Sequence, residues 1–215
     1  MIYFLSDLHN RLDFKAFNDY IKEPHKDDLL IILGDTELHF PNGDHYKEFA
    51  EMFLSVKCPI AIVDGNHENF DFLYSCPIEK WNGGEINRIT DNIVYLRRGN
   101  LYTIEGNTFF VFGGCRSSAK WREKGLYYPQ QEAAKEEYDL AYKTLSECGN
   151  KVDYVLSHKY SKDRNDPYLV EGLCTLTEYI DENVTFKTWY SGHTHVPGVI
   201  DEKHVCVYEE LVKIK

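Results

Sequence analysis

Five short polar motifs, four of them just after an apolar run, are strung along the chain: Asp7-Leu8-His9, Gly34-Asp35, Gly65-Asn66-His67-Glu68, Ser157-His158 and Gly192-His193-Thr194-His195. The runs before the first four, Ile2 to Leu5, Leu29 to Leu33, Ile60 to Val63 and Val152 to Leu156, are short, apolar and bounded by polar residues. That is the pattern of parallel strands buried on both faces. A more mixed run, Phe186 to Tyr190, precedes the fifth motif and still reads as a strand. In an open α/β sheet the ligand crevice lies outside the carboxyl ends of the strands, so Asp, Asn and His residues far apart in sequence converge there.

The segments between these runs support an α/β chain. Leu12, Phe14, Phe17, Tyr20 and Ile21 form an apolar stripe near helical period, ending before Pro24. A second helix is expected from about Asp44 to Val56, with Tyr46, Phe49, Ala50, Phe53 and Leu54 inward. The resulting βαβαβ order predicts a parallel sheet with right-handed crossovers. From Glu85 to Gly114 the pattern changes to short β-rich runs separated by Asp91-Asn92, Gly99-Asn100 and Glu105-Gly106-Asn107, which read as turns of a second sheet. Pro129, the spaced Ala134, Tyr138, Ala141, Tyr142 and Leu145, and Gly149 predict one long helix. Val199-Ile200 and Val205-Cys206-Val207 predict a late hairpin packed on the second sheet. With no repeat and no linker, the expectation is an α/β, αββα sandwich of two mixed sheets forming a single domain over residues 1–215.

A chain of 215 residues buries about 70% of the surface its unfolded form exposes and needs no covalent staples. Its six cysteines lack Cys-x-x-Cys spacing, and Met1 leads straight into a strand without a basic or long apolar leader. A reduced, cytoplasmic protein that does not span a membrane is expected, with the cysteines as small core residues. The net charge of −11 disfavours long nucleic acid, whose non-specific affinity comes from phosphate neutralisation. Small phosphorylated compounds or phosphopeptides remain as substrates, since bound cations make a catalytic mouth locally positive even in an acidic protein.

The order and wording of the five motifs resemble the calcineurin-like metallophosphoesterases, whose pattern is Asp-x-His, Gly-Asp, Gly-Asn-His-Glu or -Asp, a lone His, and Gly-His-x-His. Trp81-Asn82-Gly83-Gly84, Arg98-Gly99, Phe112-Gly113-Gly114, Arg122 and Tyr127-Tyr128-Pro129 extend the resemblance toward a small bacterial and phage-type subgroup of unassigned substrate. It implies two divalent transition-metal ions: Asp7, His9, Asp35 and His195 on one, and Asp35, Asn66, His158 and His193 on the other, with Asp35 bridging. Imidazole, carboxylate and amide oxygen donors without a thiolate suit Mn²⁺ or Fe²⁺ first, with Zn²⁺ and Ni²⁺ also compatible. Ions about 3.5–4 Å apart would clamp a phosphoryl oxygen while metal-bound hydroxide attacks in line.

The resemblance also implies a role for His67 as general acid or phosphate binder. Many relatives orient this His with an Asp three residues after the bridging one, but here that position is Leu38; Glu37, His39 or a backbone carbonyl are the substitutes at hand. A second departure is Lys159-Tyr160 after His158, where relatives often carry a Pro. Arg116 and Arg122, in a cationic loop of an acidic chain, and Arg11 near His9 are candidate substrate-phosphate ligands; the alternative is solvated surface charge. That loop's Trp121 reads equally as core, while Trp81 and Tyr127-Tyr128 fit either a stacking wall or burial. His25, His45 and His204 lie outside every motif and read as exposed.

The implied activity is hydrolysis of a phosphate monoester or small phosphodiester. A serine/threonine-type phosphoprotein phosphatase is one alternative. The other is a non-catalytic scaffold retaining the fold, which would be expected to lose ligands or His67.

Overall fold

The computed structural model describes residues 1–22, 27–39, 44–123 and 127–214, with the side chains of residues 44 and 45 outside the description. In chain order the first half comprises β1 (Ile2–Leu5), α1 (Lys15–Lys22), β2 (Leu29–Leu33), α2 (Asp44–Ser55), β3 (Ile60–Val63), α3 (Phe70–Ser75), β4 (Ile78–Trp81), β5 (Gly84–Arg88) and β6 (Ile93–Leu96). There follow β7 (Asn100–Ile104), β8 (Asn107–Phe112), α4 (Ala119–Glu123), a 3₁₀ turn at Pro129–Gln131, α5 (Lys135–Glu147), β9 (Tyr154–Ser157), α6 (Glu171–Asn183), β10 (Thr188–Ser191), β11 (Gly198–Val199), β12 (His204–Cys206) and β13 (Val212–Lys213).

Two mixed sheets result. The first runs β13-β1-β2-β3-β6-β5-β4 and the second β11-β12-β10-β9-β8-β7. Strands β1, β2, β3 and β6 are mutually parallel, as are β12, β10, β9 and β8, and antiparallel strands close the edges.

The period-two alternation of each strand divides its side chains between layers. Ile31, Leu33 and Val63 of the first sheet meet Phe109, Val111 and Leu156 of the second in the central core. Their neighbours Leu30, Ile32 and Ile62 face outward onto Phe17 of α1 and Phe49 and Phe53 of α2. On the far side Phe110, Phe112 and Val155 pack on Ala141 and Leu145 of α5 and Leu173, Leu176 and Ile180 of α6. The layers are therefore helix, sheet, sheet, helix, as the sequence pattern predicts.

Several expectations are corrected. The stretch from Glu85 to Gly114 is shared between sheets: β5 and β6 extend the first, and only β7 and β8 join the second. The late hairpin extends the edge of the second sheet rather than packing on its face. Pro129 opens the 3₁₀ turn, and α5 starts afresh at Lys135, where Glu137 folds back onto the Ala134 amide at 2.8 Å. Gly149 does stop that helix, with φ +68°. Among the described residues, no helix is long and apolar enough to cross a membrane.

Candidate metal centre

The candidate ligands lie at the carboxyl ends of β1, β2, β3, β9 and β10, and after β1, β2 and β10 the chain turns sharply at the ligand residues themselves. Asp7, His9, Asp35, His193 and His195 all have φ between 47° and 70°. Asp and His tolerate this left-handed region better than bulkier side chains, and such conformations cluster where function over-determines the backbone. The loops are laced together: Asp7 N–H donates to the Gly34 carbonyl at 3.0 Å, His9 N–H to the Asp35 carbonyl at 2.9 Å, and Gly192 N–H to the His158 carbonyl at 2.8 Å. Two glycines are required by close approach. A Cβ on Gly65 would lie 2.1 Å from Asp35 Oδ1, and one on Gly192 would lie 1.8 Å from Ser6 Oγ.

The seven side chains named as ligands from the sequence fall into two adjoining groups. In one, His9 Nε2 lies 3.1 Å from His195 Nε2, and His195 Nε2 lies 3.1 Å from Asp7 Oδ1. In the other, Asn66 Oδ1, His158 Nε2 and His193 Nδ1 form a triangle with sides of 3.0 to 3.2 Å. Asp35 stands between them, with Oδ2 3.6 Å from His9 Nε2 and Oδ1 3.4 Å from His158 Nε2. Asp35 Oδ1 also accepts the His67 amide at 2.8 Å, which fixes the carboxylate plane.

Hydrogen bonds behind the site decide which atoms face inward. His158 Nδ1 lies 2.8 Å from the Leu33 carbonyl, an acceptor only, so it carries the proton and leaves Nε2 for the site. His9 Nδ1 is likewise held at 2.9 Å by Glu37, whose other oxygen takes Asn10 Nδ2. Asn66 Nδ2 donates to Ser117 Oγ at 2.9 Å, and the Ser117 hydroxyl in turn donates a hydrogen bond to Gln131 Oε1 at 2.5 Å, turning Asn66 Oδ1 inward. The triangle thus gathers two imidazole nitrogens and an amide oxygen, lone pairs that repel unless something positive lies among them. This donor set fits a divalent transition ion, and Asp7, His9 and His195 are a second such set beside it.

The proton affinities carry the same tension. Burial pushes the Asp35 carboxyl up, but His158 and His67 outweigh it and hold it well below the usual range. Asp7 is lowered despite burial, chiefly by the hydrogen bond to His195. Burial opposes charging of His158, yet Asp35 raises it to about 9; His9 reaches about 9 against the same penalty, through Glu37 and Asp35. His193 falls to about 3, through burial and the charge of His158. Protons on His9 and His158 therefore compete with any cation for the same nitrogens.

A cavity of about 660 Å³ opens over these groups, lined by His9, Asp35, Asn66, His67, His193 and His195 on the floor. Its walls come from Ser118 and Trp121 on one side and from Lys159 to Tyr168 on the other. The His67 ring packs edge-on against Trp121 at 4.3 Å, and its buried Nδ1 has no hydrogen-bond partner among the described residues. Burial lowers its pKa. None of the three substitutes for the missing Asp holds it. Glu37 is committed to His9, His39 packs on Phe72 at 4.5 Å, and no backbone carbonyl of the described residues reaches Nδ1. Leu38 is buried in the helix-facing core.

The arginines lie away from this cavity. Arg116 is paired with Glu132 at 3.1 Å, Arg122 stacks on Tyr127 at 4.4 Å, and Arg11 pairs with Glu209 at 2.7 Å; none lines the cavity over the candidate ligands. Among the described residues, the lysine that lines it is Lys159, which the sequence reading noted only as a departure from a common Pro. Its side chain is 6% exposed and pairs with Asp166 at 2.8 Å. Trp121 lines the cavity instead of entering the core, while Trp81 packs at the edge of the central core. His204, read as exposed, is buried at 3%, stacked on Tyr160 at 4.0 Å between Asp181 and Asp201. His25 and the side chain of His45 lie outside the described residues. Glu37, Ser117 and Cys115 are residues the motifs did not announce, because they contact the ligands from loops whose proximity only the fold creates.

The family profile for calcineurin-like phosphoesterases matches residues 1–197, and the chain belongs to that family. No curated protein matches it. Among solved structures it is similar to a protein of unknown function from Aquifex aeolicus, with 18% identity over 86% of this chain and 87% of that one, and a TM-score of 0.39.

Proposed function

We propose that the protein hydrolyses a phosphate monoester or small phosphodiester, with Asp7, His9, Asp35 and His195 holding one divalent ion and Asp35, Asn66, His158 and His193 a second. The observation that carries this reading is the pair of donor groups meeting at Asp35 on the floor of the cavity. Two ions held there supply Lewis acidity toward a phosphoryl oxygen and lower the pKa of water. The choice between Mn²⁺, Fe²⁺ and Zn²⁺ belongs to the same proposal.

The chain's own residues do the rest. His67 hydrogen-bonds a phosphoryl oxygen or gives its proton to the leaving oxygen, its ring held by Trp121 and by the Asp35 contact of its amide. Lys159 takes the anchoring role that the arginines do not fill: its ammonium, paired with Asp166 at 2.8 Å, exchanges that carboxylate for a substrate phosphate at the wall. Asp163 on the same wall opposes a highly charged substrate, and Trp121 and Tyr168 offer aromatic surface to an ester substituent. A cavity of this volume suits a small molecule, which favours small esters over phosphoproteins.

The test is hydrolysis of p-nitrophenyl phosphate and bis-p-nitrophenyl phosphate with added Mn²⁺ or Zn²⁺, using wild type, Asp35→Asn and His67→Ala. Turnover of either ester that Asp35→Asn abolishes and His67→Ala lowers about 10²–10⁴-fold supports the proposal. Turnover unchanged in Asp35→Asn would sink it.

A further inference from the structure

The sequence reading excluded thiolate from the ligand set, yet Cys115 Sγ lies 3.5 Å from His193 Nδ1 and 3.0 Å from Asn66 Oδ1, and Cys115, His158 and His193 offer a mutually adjacent donor set. Cys115 follows β8, so a sixth strand end reaches the site. Its place is fixed from both sides: Gly114 N–H donates to the Asp64 carbonyl and Arg116 N–H to the Tyr168 carbonyl, each at 2.8 Å. Before it, Gly113 lets the chain pass Asp64, where a Cβ would stand 2.3 Å from Oδ1. Gly114, at φ +76°, turns the chain over the Arg98 guanidinium. The side chain itself is 1% exposed.

We infer that Cys115 is a thiolate ligand of the ion held by Asn66, His158 and His193, which makes that site selective for a thiolate-binding ion, Zn²⁺ or Fe²⁺, over Mn²⁺ or Mg²⁺. The inference rests on reading these residues as a metal centre. Donor atoms around a small ion bonded at about 2.1–2.3 Å must themselves lie about 3–4 Å apart, and the spacings from Sγ to Asn66 and His193 fall in that range. The thiol gives its proton to solvent as the ion enters, and the metal–sulfur bond replaces the weak S–H contact to Asn66. The Asp7, His9 and His195 group contains no sulfur, so the two positions differ in softness. Hard and borderline ions are accepted by the first, while the second retains the ion that binds sulfur.

The test uses the whole protein loaded with Co²⁺ and, separately, with Zn²⁺, as wild type, Cys115→Ser and Cys115→Ala. Wild type is expected to show a near-ultraviolet thiolate-to-cobalt charge-transfer band that both variants lose while keeping the visible cobalt bands. X-ray absorption at the zinc edge should show a Zn–S shell near about 2.3 Å in wild type, a readout independent of how the variants fold. Cys115→Ser should weaken Zn²⁺ at one of two sites by about tenfold or more and leave Mn²⁺ binding little changed. Two bound ions with no sulfur shell and no charge-transfer band would overturn the role of Cys115 alone. Failure to bind any ion would overturn the metal-centre reading, and this inference with it.

Discussion

Replacing Arg98 by Met tests how the two sheets are joined behind the site. Arg98 and Asp64 have side chains with 0% exposure. The guanidinium forks onto Asp64, with Nε at 2.8 Å, and also reaches Glu137 Oε2 at 3.1 Å and the Gln130 carbonyl at 2.8 Å. Asp64 directly follows β3 and, through its carbonyl, holds the Gly114 amide beyond β8, so the pair ties one sheet to the other next to Gly65 and Cys115. Met fills much of the volume but leaves the Asp64 carboxylate buried with, among the described residues, the Tyr95 hydroxyl at 3.2 Å as its remaining side-chain partner. Breaking a buried pair from one side costs about 3–5 kcal/mol. At about 2–4 °C per kcal/mol for a chain of this size, Tm should fall by about 6–20 °C in a calorimetric scan. Arg98→Met combined with Asp64→Asn should lose less than the sum of the single changes by about 1–3 kcal/mol, since the stranded charge is then removed. A Tm loss under about 3 °C for Arg98→Met, or strict additivity in the double variant, would refute the reasoning.

Three further predictions bear on the site and its frame. Glu37→Gln weakens the hold on His9 Nδ1 and should lower affinity for one ion by about 10–100-fold in a titration calorimeter, with the second ion less affected; equal loss at both would mean that Glu37 acts on the fold. Lys159→Gln should raise KM for the active ester more than it lowers kcat, because the ammonium binds ground state and transition state alike; an unchanged KM would remove Lys159 from substrate binding. Asp153 is held at about 2, below its ordinary 3.8, by Lys187 and by the Thr108 amide and hydroxyl. A depressed folded pKa gives stability that is full above the unfolded value and lost as pH falls through the folded one. Asp153→Asn should therefore remove about 1 kcal/mol at pH 7, discounted for the exposed Lys187, and flatten the acid loss between those two values, as read from urea midpoints across pH.

The sequence carried the ligand-bearing strands well, because a parallel strand buried on both faces is an uninterrupted aliphatic run and Leu29–Leu33 or Ile60–Val63 can hardly be anything else. It carried the helix of residues 44–55 for the complementary reason, a period near 3.6 ending before Pro59. Strand β4 was invisible because Ile78, Glu79 and Lys80 are all exposed and no alternation marks them. Helix α6 does present Leu173, Leu176 and Ile180 at helical spacing, but it follows the polar loop from Lys159 to Val170 and has neither a Ser, Thr, Asp or Asn cap nor a Gly stop, Val170 and Val184 standing at those positions. The division of β5 to β8 between two sheets is set by which core each hairpin meets, which local pattern does not encode. At the site, motif residues were legible because each carries its chemistry in a fixed local context. Cys115, Lys159 and Glu37 were not, since what places them beside the candidate ligands is contacts across 49 or 28 positions or a cavity wall. The position of the cationic loop was not legible because charge in a sequence does not reveal its partner: Glu132 takes Arg116 and sits 3.9 Å from Arg122, away from the cavity lining.

The central claim is that two ions sit side by side and share Asp35. Electron paramagnetic resonance of the protein titrated with Co²⁺, an ion that both positions accept, tests it most directly, with elemental analysis on the same samples. The account predicts two ions per chain with an exchange-coupled signal in wild type, and loss of the coupling in Asp35→Asn. One Co²⁺ per chain at saturation, or two ions with the spectrum of isolated Co²⁺, would contradict it.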